Sequence, residues 1–345
     1  MKKDWNKKRR FRQSFARFLQ KVLRKHSKTG KYNGPKGSFA ILAQEKFGDA
    51  ILLTPLLKNL KTFFPDSFVT VITFSKAVSG FFQSDPHVDA VYYTKGNLIH
   101  YSSSVLFQKF DILFNTKDNP SISFLIQSQL VPARCKVGIQ NEYHTGIYDY
   151  LVKADFHTPI ALKNCGLLEL LGADVRKKQC RPYIPPMTVS ESVRSFVVSM
   201  KKNTLTGINI SAGLPTRQWT EENWQRLVKA FPGDTFIVLS APGDIEQKKR
   251  IEQECGNVFP SPETKNLHEA NLILEKLKLL VTPDTAMVHV ASCANTPVIG
   301  LYGKAPQDQS RFGPFLIDYR MVTSATPLVR DIEPEKVIGA LREIV

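Results

Sequence analysis

Two stretches of this chain carry residue types that can do chemistry at useful spacing. The first runs Thr282-Pro283-Asp284-Thr285-Ala286-Met287-Val288-His289. Leu279 to Val281, just before it, is an apolar run suited to a strand buried on both faces. Asp284 and Thr285 are good helix caps. Met287, Val288, Ala291 and Ala294 then take helical spacing, and Asn295 can close that helix. Pro297 to Tyr302 reads as the next buried strand, ended by Gly303. The helix start thus lies beyond a strand's carboxyl end, where open α/β sheets bind ligands. Its free N–H groups and positive dipole end suit an anion. Asp284, Thr285 and His289 add polar side chains at the same place. The competing reading is a plain cap and a surface histidine.

The second stretch is Phe47-Gly48-Asp49, which follows the apolar strand Phe39 to Leu42. A carboxylate there faces the crevice beyond the sheet and can take the proton of an attacking hydroxyl; the alternative is an ordinary helix cap beside a turn glycine. Two further residues stand in equivalent loops. Arg217 lies in the polar loop Ser211 to Gln218, after the strand Gly207 to Ile210. Gly213 in that loop lets backbone approach a phosphate, and an arginine fork neutralises one. Glu246, after Gly243, can accept hydrogen bonds from a ribose. The bland alternatives are an exposed loop arginine and a solvated first-turn glutamate.

The elements that must hold these residues alternate. Strand-like runs at Phe39–Leu42, Phe68–Phe74, Ala90–Tyr93, Asp111–Phe114 and Lys136–Ile139 are separated by stretches long enough for helices. Ile51, Leu52, Pro55, Leu56, Leu60 and Phe64 form one helix face, and Ile160 to Leu171 a further helix. A second series begins at Thr206. In it Thr220 is an N-cap whose capping-box glutamate is displaced by one residue, Thr235–Leu239 is a strand, Leu267–Leu277 is a helix and Glu333–Ile344 is a closing helix. Such alternation predicts parallel sheets with helices on both faces. Arg176 to Pro186, polar and proline-rich without a period, marks the boundary of domains at 38–180 and 187–345.

Composition sets the class. The 345 residues are 42% hydrophobic, enough for two globular cores. There is no apolar run of about 18 residues, the length needed to span a membrane. Five scattered cysteines with no Cys-x-x-Cys argue for a reducing compartment and against a structural metal or disulfide framework. The net charge of +16 is uneven: residues 1–37 hold nine Lys and five Arg against Asp4 alone, so +13 sits there and +3 on the rest. Within this tail Phe11, Phe15, Phe18, Leu19, Val22 and Leu23 form one stripe of an amphipathic helix surrounded by basic residues, followed by a Lys- and Gly-rich linker from Ser27 to Gly37. The pattern lacks the apolar core and cleavage site of a signal peptide. It fits a helix lying in an anionic membrane surface. Packing on the protein's own body and nucleic-acid binding compete, the latter being the least favoured.

Taken together, the motifs resemble a known family. Phe47-Gly48-Asp49-Ala50-Ile51-Leu52-Leu53-Thr54-Pro55-Leu56-Leu57, Phe64-Pro65 and Asp85-Pro86-His87-Val88-Asp89 are similar to the amino-terminal signature of the ADP-heptose:lipopolysaccharide heptosyltransferases, glycosyltransferase family 9. Arg217-Gln218-Trp219-Thr220 with Trp224, Pro283 to Ala291, and Thr296 to Gly303 resemble the family's second-half motifs. The resemblance spans about residues 38–345. It implies a GT-B fold: two facing Rossmann-like domains, amino-terminal for the acceptor and carboxyl-terminal for the nucleotide-sugar, with the active site between them. It implies an inverting, metal-independent transfer of a heptose or similar sugar from an ADP-sugar to a lipopolysaccharide core or related lipid-linked saccharide, with no cofactor. The enzyme would sit in the cytoplasm, peripheral on the inner face of the inner membrane. Carried over, Asp49 is the general base, with Gly48 and Thr54 on the acceptor side. Gly213, Arg217, Glu246, Asp284, Thr285, Ala286, Met287 and His289 form the donor site. Ala286 stands where the family usually has glycine, Lys304-Ala305 replaces a common Pro-Thr, and Ala43 and Gln44 stand where members often carry a basic residue. Another nucleotide-sugar donor, or a non-catalytic binding protein on the same plan, are the alternatives.

Overall fold

The computed structural model describes the backbone of residues 2–344 and, within them, all side chains but those of 2–6 and 306–308. The chain divides into two units, Met1–Cys180 and Arg181–Val345.

In the first unit each apolar run becomes a parallel strand. The order is α1 (Lys2–Leu23), β1 (Ser38–Ala43), α2 (Phe47–Ile51), α3 (Thr54–Phe63), β2 (Phe68–Thr73), α4 (Lys76–Gln83), β3 (Ala90–Tyr93) and α5 (Leu98–Tyr101), which runs on into a π turn at Ser102–Leu106. Then come β4 (Phe110–Asn115), α6 (Ile122–Leu130), β5 (Ala133–Ile139), β6 (Tyr150–Val152) and α7 (Ile160–Leu170). The sheet order is β3-β2-β1-β4-β5-β6, all parallel, with β1 pairing both β2 (Phe39 opposite Val69) and β4 (Phe39 opposite Ile112). The order reverses between β1 and β4. The loops after these two strands therefore diverge and leave a crevice at their carboxyl ends.

The helix expected after β1 is split in two. Pro55 has no N–H to offer the carbonyl four residues back, which belongs to Ile51. The Thr54 hydroxyl donates to that carbonyl instead, at 2.8 Å, and α3 restarts with Pro55 in its first turn. Asp49 is thereby held on the five-residue α2.

α1 lies on the body along one side only. Ala16 is buried against Leu125, Ile147 and Tyr148, with Phe15, Leu19 and Leu23 half-buried beside it. Gln20 Nε2 donates to the carbonyls of Glu142 and Thr145, each at 2.7 Å. Phe11, Phe18 and Val22 remain exposed. The six-residue stripe read as lipid-facing is thus divided, and Phe15, Leu19 and Leu23 are turned to the protein. The segment read as a linker has no regular element but is strapped to the unit. Lys25 pairs with Asp149 at 2.8 Å, Lys28 N donates to Asp149 O at 2.7 Å and Tyr32 N to Leu170 O at 2.8 Å. Lys25 N also donates to the carbonyl of Gly146, whose φ of 83° is a left-handed value that glycine tolerates.

The second unit begins with α8 (Glu191–Ser199), β7 (Leu205–Asn209), a 3₁₀ turn at Pro215–Arg217, α9 (Glu221–Lys229), β8 (Thr235–Leu239), α10 (Ile245–Glu254) and α11 (Leu267–Leu274). It closes with β9 (Leu279–Pro283), α12 (Ala286–Ala294), β10 (Val298–Tyr302), α13 (Pro306–Phe312), β11 (Tyr319–Thr323) and α14 (Pro334–Arg342). The parallel sheet runs β11-β10-β9-β7-β8, reversing between β7 and β9. β11 has no counterpart in the sequence pattern: it is an edge strand whose Tyr319 and Arg320 face water, so it shows no apolar run. Trp219 and Trp224 meet edge to face at 4.7 Å within the core over Ile208, Val281 and Leu301, and Trp219 Nε1 donates to Ile332 O at 2.9 Å. That core fixes the loop carrying Arg217.

Candidate active site

The second unit's crevice holds a constructed polar site. Arg217 comes from the loop after β7, and Asp284 and Thr285 from the turn after β9, the two strands flanking the reversal. The Arg217 guanidinium spans the turn: Nη1 donates to the Asp284 carbonyl at 3.1 Å and Nη2 meets Asp284 Oδ2 at 3.0 Å. Of the two candidate caps, Thr285 is the one used. Its hydroxyl accepts from Met287 N at 3.2 Å, leaving Asp284 for the arginine. Asn295, at φ 58°, closes α12 in the left-handed conformation. Asn209, at the end of β7, reaches Thr282 Oγ1 at 2.9 Å and Thr285 Oγ1 at 3.3 Å, locking the two crevice strands in register. Ala286 and Met287 are half-buried at the start of α12. His289 is buried one turn further on. Burial, and then the Arg217 charge, lower its pKa to about 4, so the ring is neutral near pH 7, and its Nδ1 has no hydrogen-bond partner among the described residues.

Gly213 sits on the exposed loop with open space around its Cα. Ser211 Oγ accepts from Ala241 N at 2.7 Å, tying that loop to the one after β8. Glu246 stands on the first turn of α10, exposed and paired with Lys249 at 2.9 Å. The structure thus joins Arg217 to Asp284 beside the Thr285 cap, buries His289 within reach of the Arg217 charge, and leaves Glu246 at the rim of the same sheet end.

In the first unit, Asp49 lies at the equivalent crevice. The residue is half-buried, but Oδ1 is sealed from solvent and has no hydrogen-bond partner among the described residues. Burial raises its pKa above 3.8; Lys117 and Lys46 oppose the rise, and Glu45 and Asp118 add to it. A carboxylate so placed holds a proton more strongly than a solvated one, which suits a base. Asp49 is not a cap, because the N-cap position of α2 is Lys46. Gly48 is half-buried beside it, whereas Thr54 is fully buried in its backbone-capping role.

Some of the crevice escaped the sequence reading. Lys117, after β4, is held by Gln44 Oε1 at 2.8 Å, so a cation stands at this crevice although Gln44 itself is neutral. Asp118 and Lys163 form a buried ion pair at 2.9 Å, and Lys163 Nζ also donates to Phe156 O at 2.8 Å. A lysine inside the apolar run Ile160-Ala-Leu-Lys-Asn-Cys was the available signal, since a lysine is rarely buried unless paired. A polar groove of about 690 Å³ opens at the carboxyl ends of β5 and β6, lined by Gln140, Asn141, Glu142, Lys153, Asp155 and Phe156 among others.

Two doubly wound parallel sheets, each with its polar residues at the reversal, define the GT-B plan. The glycosyltransferase family 9 (heptosyltransferase) model matches residues 101–337, and the chain belongs to that family. It is 23% identical over 278 residues to lipopolysaccharide heptosyltransferase 3 of Escherichia coli, covering 74% of this chain and 80% of that protein. The crystal structure of a family 9 glycosyltransferase from Veillonella parvula superposes with a TM-score of 0.69 at 18% identity, over 92% of this chain and 98% of that one. The Escherichia coli heptosyltransferase WaaC with ADP gives 0.68 at 14% identity, over 89% and 100%. No helix among the described residues is long and apolar enough to cross a membrane.

Proposed function

We propose that this glycosyltransferase moves a heptose, or a closely similar sugar, from an ADP-sugar to a lipopolysaccharide core or related lipid-linked saccharide, with inversion at the anomeric carbon. Asp49 takes the proton of the acceptor hydroxyl as its oxygen attacks the anomeric carbon, and the bond from that carbon to the diphosphate breaks. Charge builds on the leaving ADP. Arg217, clamped by Asp284, and the amino terminus of α12 meet it. These fixed positive groups perform the task a metal ion performs elsewhere, so no metal or other cofactor is required. Neutral His289 and half-buried Met287 support the sugar end, with Ala286, Gly213 and Glu246 around the nucleotide. The outer row of α1 and its basic neighbours hold the enzyme on the inner, cytoplasmic membrane surface, where a lipid-linked acceptor is presented.

The observation that carries this reading is the Arg217–Asp284–Thr285 constellation at the reversal of the second sheet. Support for ADP as the nucleotide comes from WaaC, whose structure holds ADP. A thermal-shift series with ADP, UDP, GDP and CMP tests it, because a ligand of the folded state raises the melting temperature. The largest rise is expected with ADP. A clear preference for another nucleotide overturns the donor assignment and selects the alternative donor.

A further inference from the structure

Three elements lie side by side on one face of the first unit's sheet, with α6 in the middle. Its Phe124 packs with Tyr101 and Val105, from α5 and the π turn, over Ala40, Leu42 and Leu113. Its Leu125 packs with Ala16 of α1 over Ile147 and Tyr148. Gln127 of α6 also donates to the Tyr101 hydroxyl. The inward sides of all three are therefore occupied by the core, yet each also leaves apolar side chains outward, among basic and polar ones. α1 leaves Phe11, Phe18 and Val22, and α6 leaves Ile126 and Leu130. The stretch 98–107 leaves Leu98, Ile99 and Phe107 at 66%, 84% and 85% exposure, and is the barest of the three.

Several polar groups of that stretch are satisfied within it. Ser103 Oγ donates to His100 O at 3.1 Å, Ser104 Oγ lies 3.5 Å from His100 Nδ1, and Phe107 N donates to Ser102 O at 3.1 Å. Its flanking charges are the exposed Lys95 and Lys109. The three elements themselves, residues 7–23, 98–107 and 122–130, contain no Asp or Glu, and the exposed acid beside them is Glu142, 3.9 Å from Arg17. Apolar tips beside mainly positive charge match the interface of an anionic bilayer, where apolar groups enter the headgroup boundary and lysines meet lipid phosphates. They match single-stranded nucleic acid less well, because five of the eight exposed tips, Val22, Leu98, Ile99, Ile126 and Leu130, are aliphatic and do not stack on bases as Phe11, Phe18 and Phe107 can.

We propose that residues 98–107 are a second membrane-inserting element which, with the outer row of α1, seats the first unit on anionic lipid by a whole face. This rests on the membrane half of the function proposed above. Attachment at two places fixes the unit's orientation, which one helix alone leaves free to roll.

Co-sedimentation with vesicles of phosphatidylethanolamine and phosphatidylglycerol, beside phosphatidylcholine vesicles, tests both parts. The variants are Leu98→Ser/Ile99→Ser/Phe107→Ser and Phe11→Ser/Phe18→Ser/Val22→Ser in the full chain. All six side chains are exposed, so melting temperature and ADP binding should not move. Each variant should partition about tenfold or more less into the anionic vesicles. Loss in the α1 variant only overturns this inference and leaves the helix reading standing. Loss in the 98–107 variant only supports it and ends the helix reading. Failure of the wild-type protein to sediment ends both. A lipid-free dimer that the 98–107 variant dissociates, with unchanged vesicle binding, assigns the face to a second copy and overturns the inference.

Discussion

Replacing Arg217 with alanine separates a binding arginine from a structural one. In the free protein Arg217 makes two contacts to Asp284, at 3.1 and 3.0 Å, and the Asp284 side chain it covers is only 9% exposed. Removing the guanidinium takes this ion pair from a carboxylate that has little access to water. Breaking a deeply buried pair costs about 3–5 kcal/mol. Arg217 itself is 31% exposed, however, so solvent screens part of the interaction, and about 1–3 kcal/mol is expected here. That lowers the melting temperature by about 2–4 °C per kcal/mol for a unit of this size. A diphosphate would lose a charge-assisted contact on the scale of about 1.5–3 kcal/mol, or roughly 10- to 150-fold in ADP affinity. Calorimetry with ADP, run beside melting curves, reads both quantities. Arg217→Lys keeps the charge but not the fork and should fall between. If Arg217→Ala melts early but binds ADP within about twofold of wild type, the arginine is only a staple for the β9–α12 turn, and the donor-site argument fails.

Five further outcomes follow. Asp49→Ala should abolish turnover and leave ADP affinity unchanged by calorimetry; near-normal turnover removes Asp49 as the base. The folded protein holds the Asp49 proton above the ordinary 3.8, so this group's contribution to stability is full below 3.8 and is lost as pH rises through the raised value. Asp49→Asn should therefore resist urea better than wild type at pH 8, an advantage that shrinks in acid. His144 and His289 are held neutral down to about 4 against 6.5 unfolded, so the unfolded chain binds more protons between those values and stability is lost as pH falls through that window. Each histidine should steepen the fall by up to about 1.4 kcal/mol per pH unit, and urea midpoints for wild type and His289→Gln would show whether the slope lessens. Activity should survive millimolar EDTA; loss that Mg²⁺ or Mn²⁺ restores would overturn the metal-free proposal. Deleting residues 1–37 should lower the melting temperature, because it uncovers Leu125, Ile147 and Tyr148; an unchanged melting curve would mean that α1 leaves its seat in solution.

What the sequence disclosed depended on whether a residue's partner lay nearby in the chain. The βαβ unit from Leu279 to Tyr302 was legible because strand, cap, helix and αL closure are all local patterns, and each is present. So was the likeness that led to family 9, which rests on ordered motifs in both halves. The Arg217–Asp284 pair spans 67 residues and the Asp118–Lys163 pair 45, so no local rule shows either. Sequence reasoning had both Arg217 and Asp284 as ligand groups but could not see that one holds the other. Glu246 illustrates the converse. Its place after Gly243 suggested a ribose contact, and the sequence could not show that the carboxylate pairs with Lys249, one turn on. Edge strand β11 and the π turn after α5 were missed for another reason: half-exposed and irregular elements have no apolar period to detect.

The amino-terminal helix shows why a sequence alternative can be wrongly posed. Packing on the body and lying on a membrane were read as rivals because six apolar residues formed one stripe. At about 100° per residue those positions cover a band too broad for a single groove. Ala16 marks one margin: it is the position without bulk, and there the helix comes close enough to Leu125 and Tyr148 to be fully buried. Phe15, Leu19 and Leu23 fill the gap beside it. Gln20, on the same side, replaces apolar contact with two hydrogen bonds to a loop held in turn by Gly146. Phe11, Phe18 and Val22 lie past the other margin and gain nothing from the body. A helix needed only for packing has no reason to carry two phenylalanines and a valine there, and one needed only for lipid has no reason to carry Ala16 and Gln20 at the opposite margin. If the membrane half of the proposed function holds, the two roles occupy neighbouring halves of one stripe. A helix held to the body by Ala16 and Gln20 would then transmit the plane of a lipid surface to the sheet whose crevice holds Asp49.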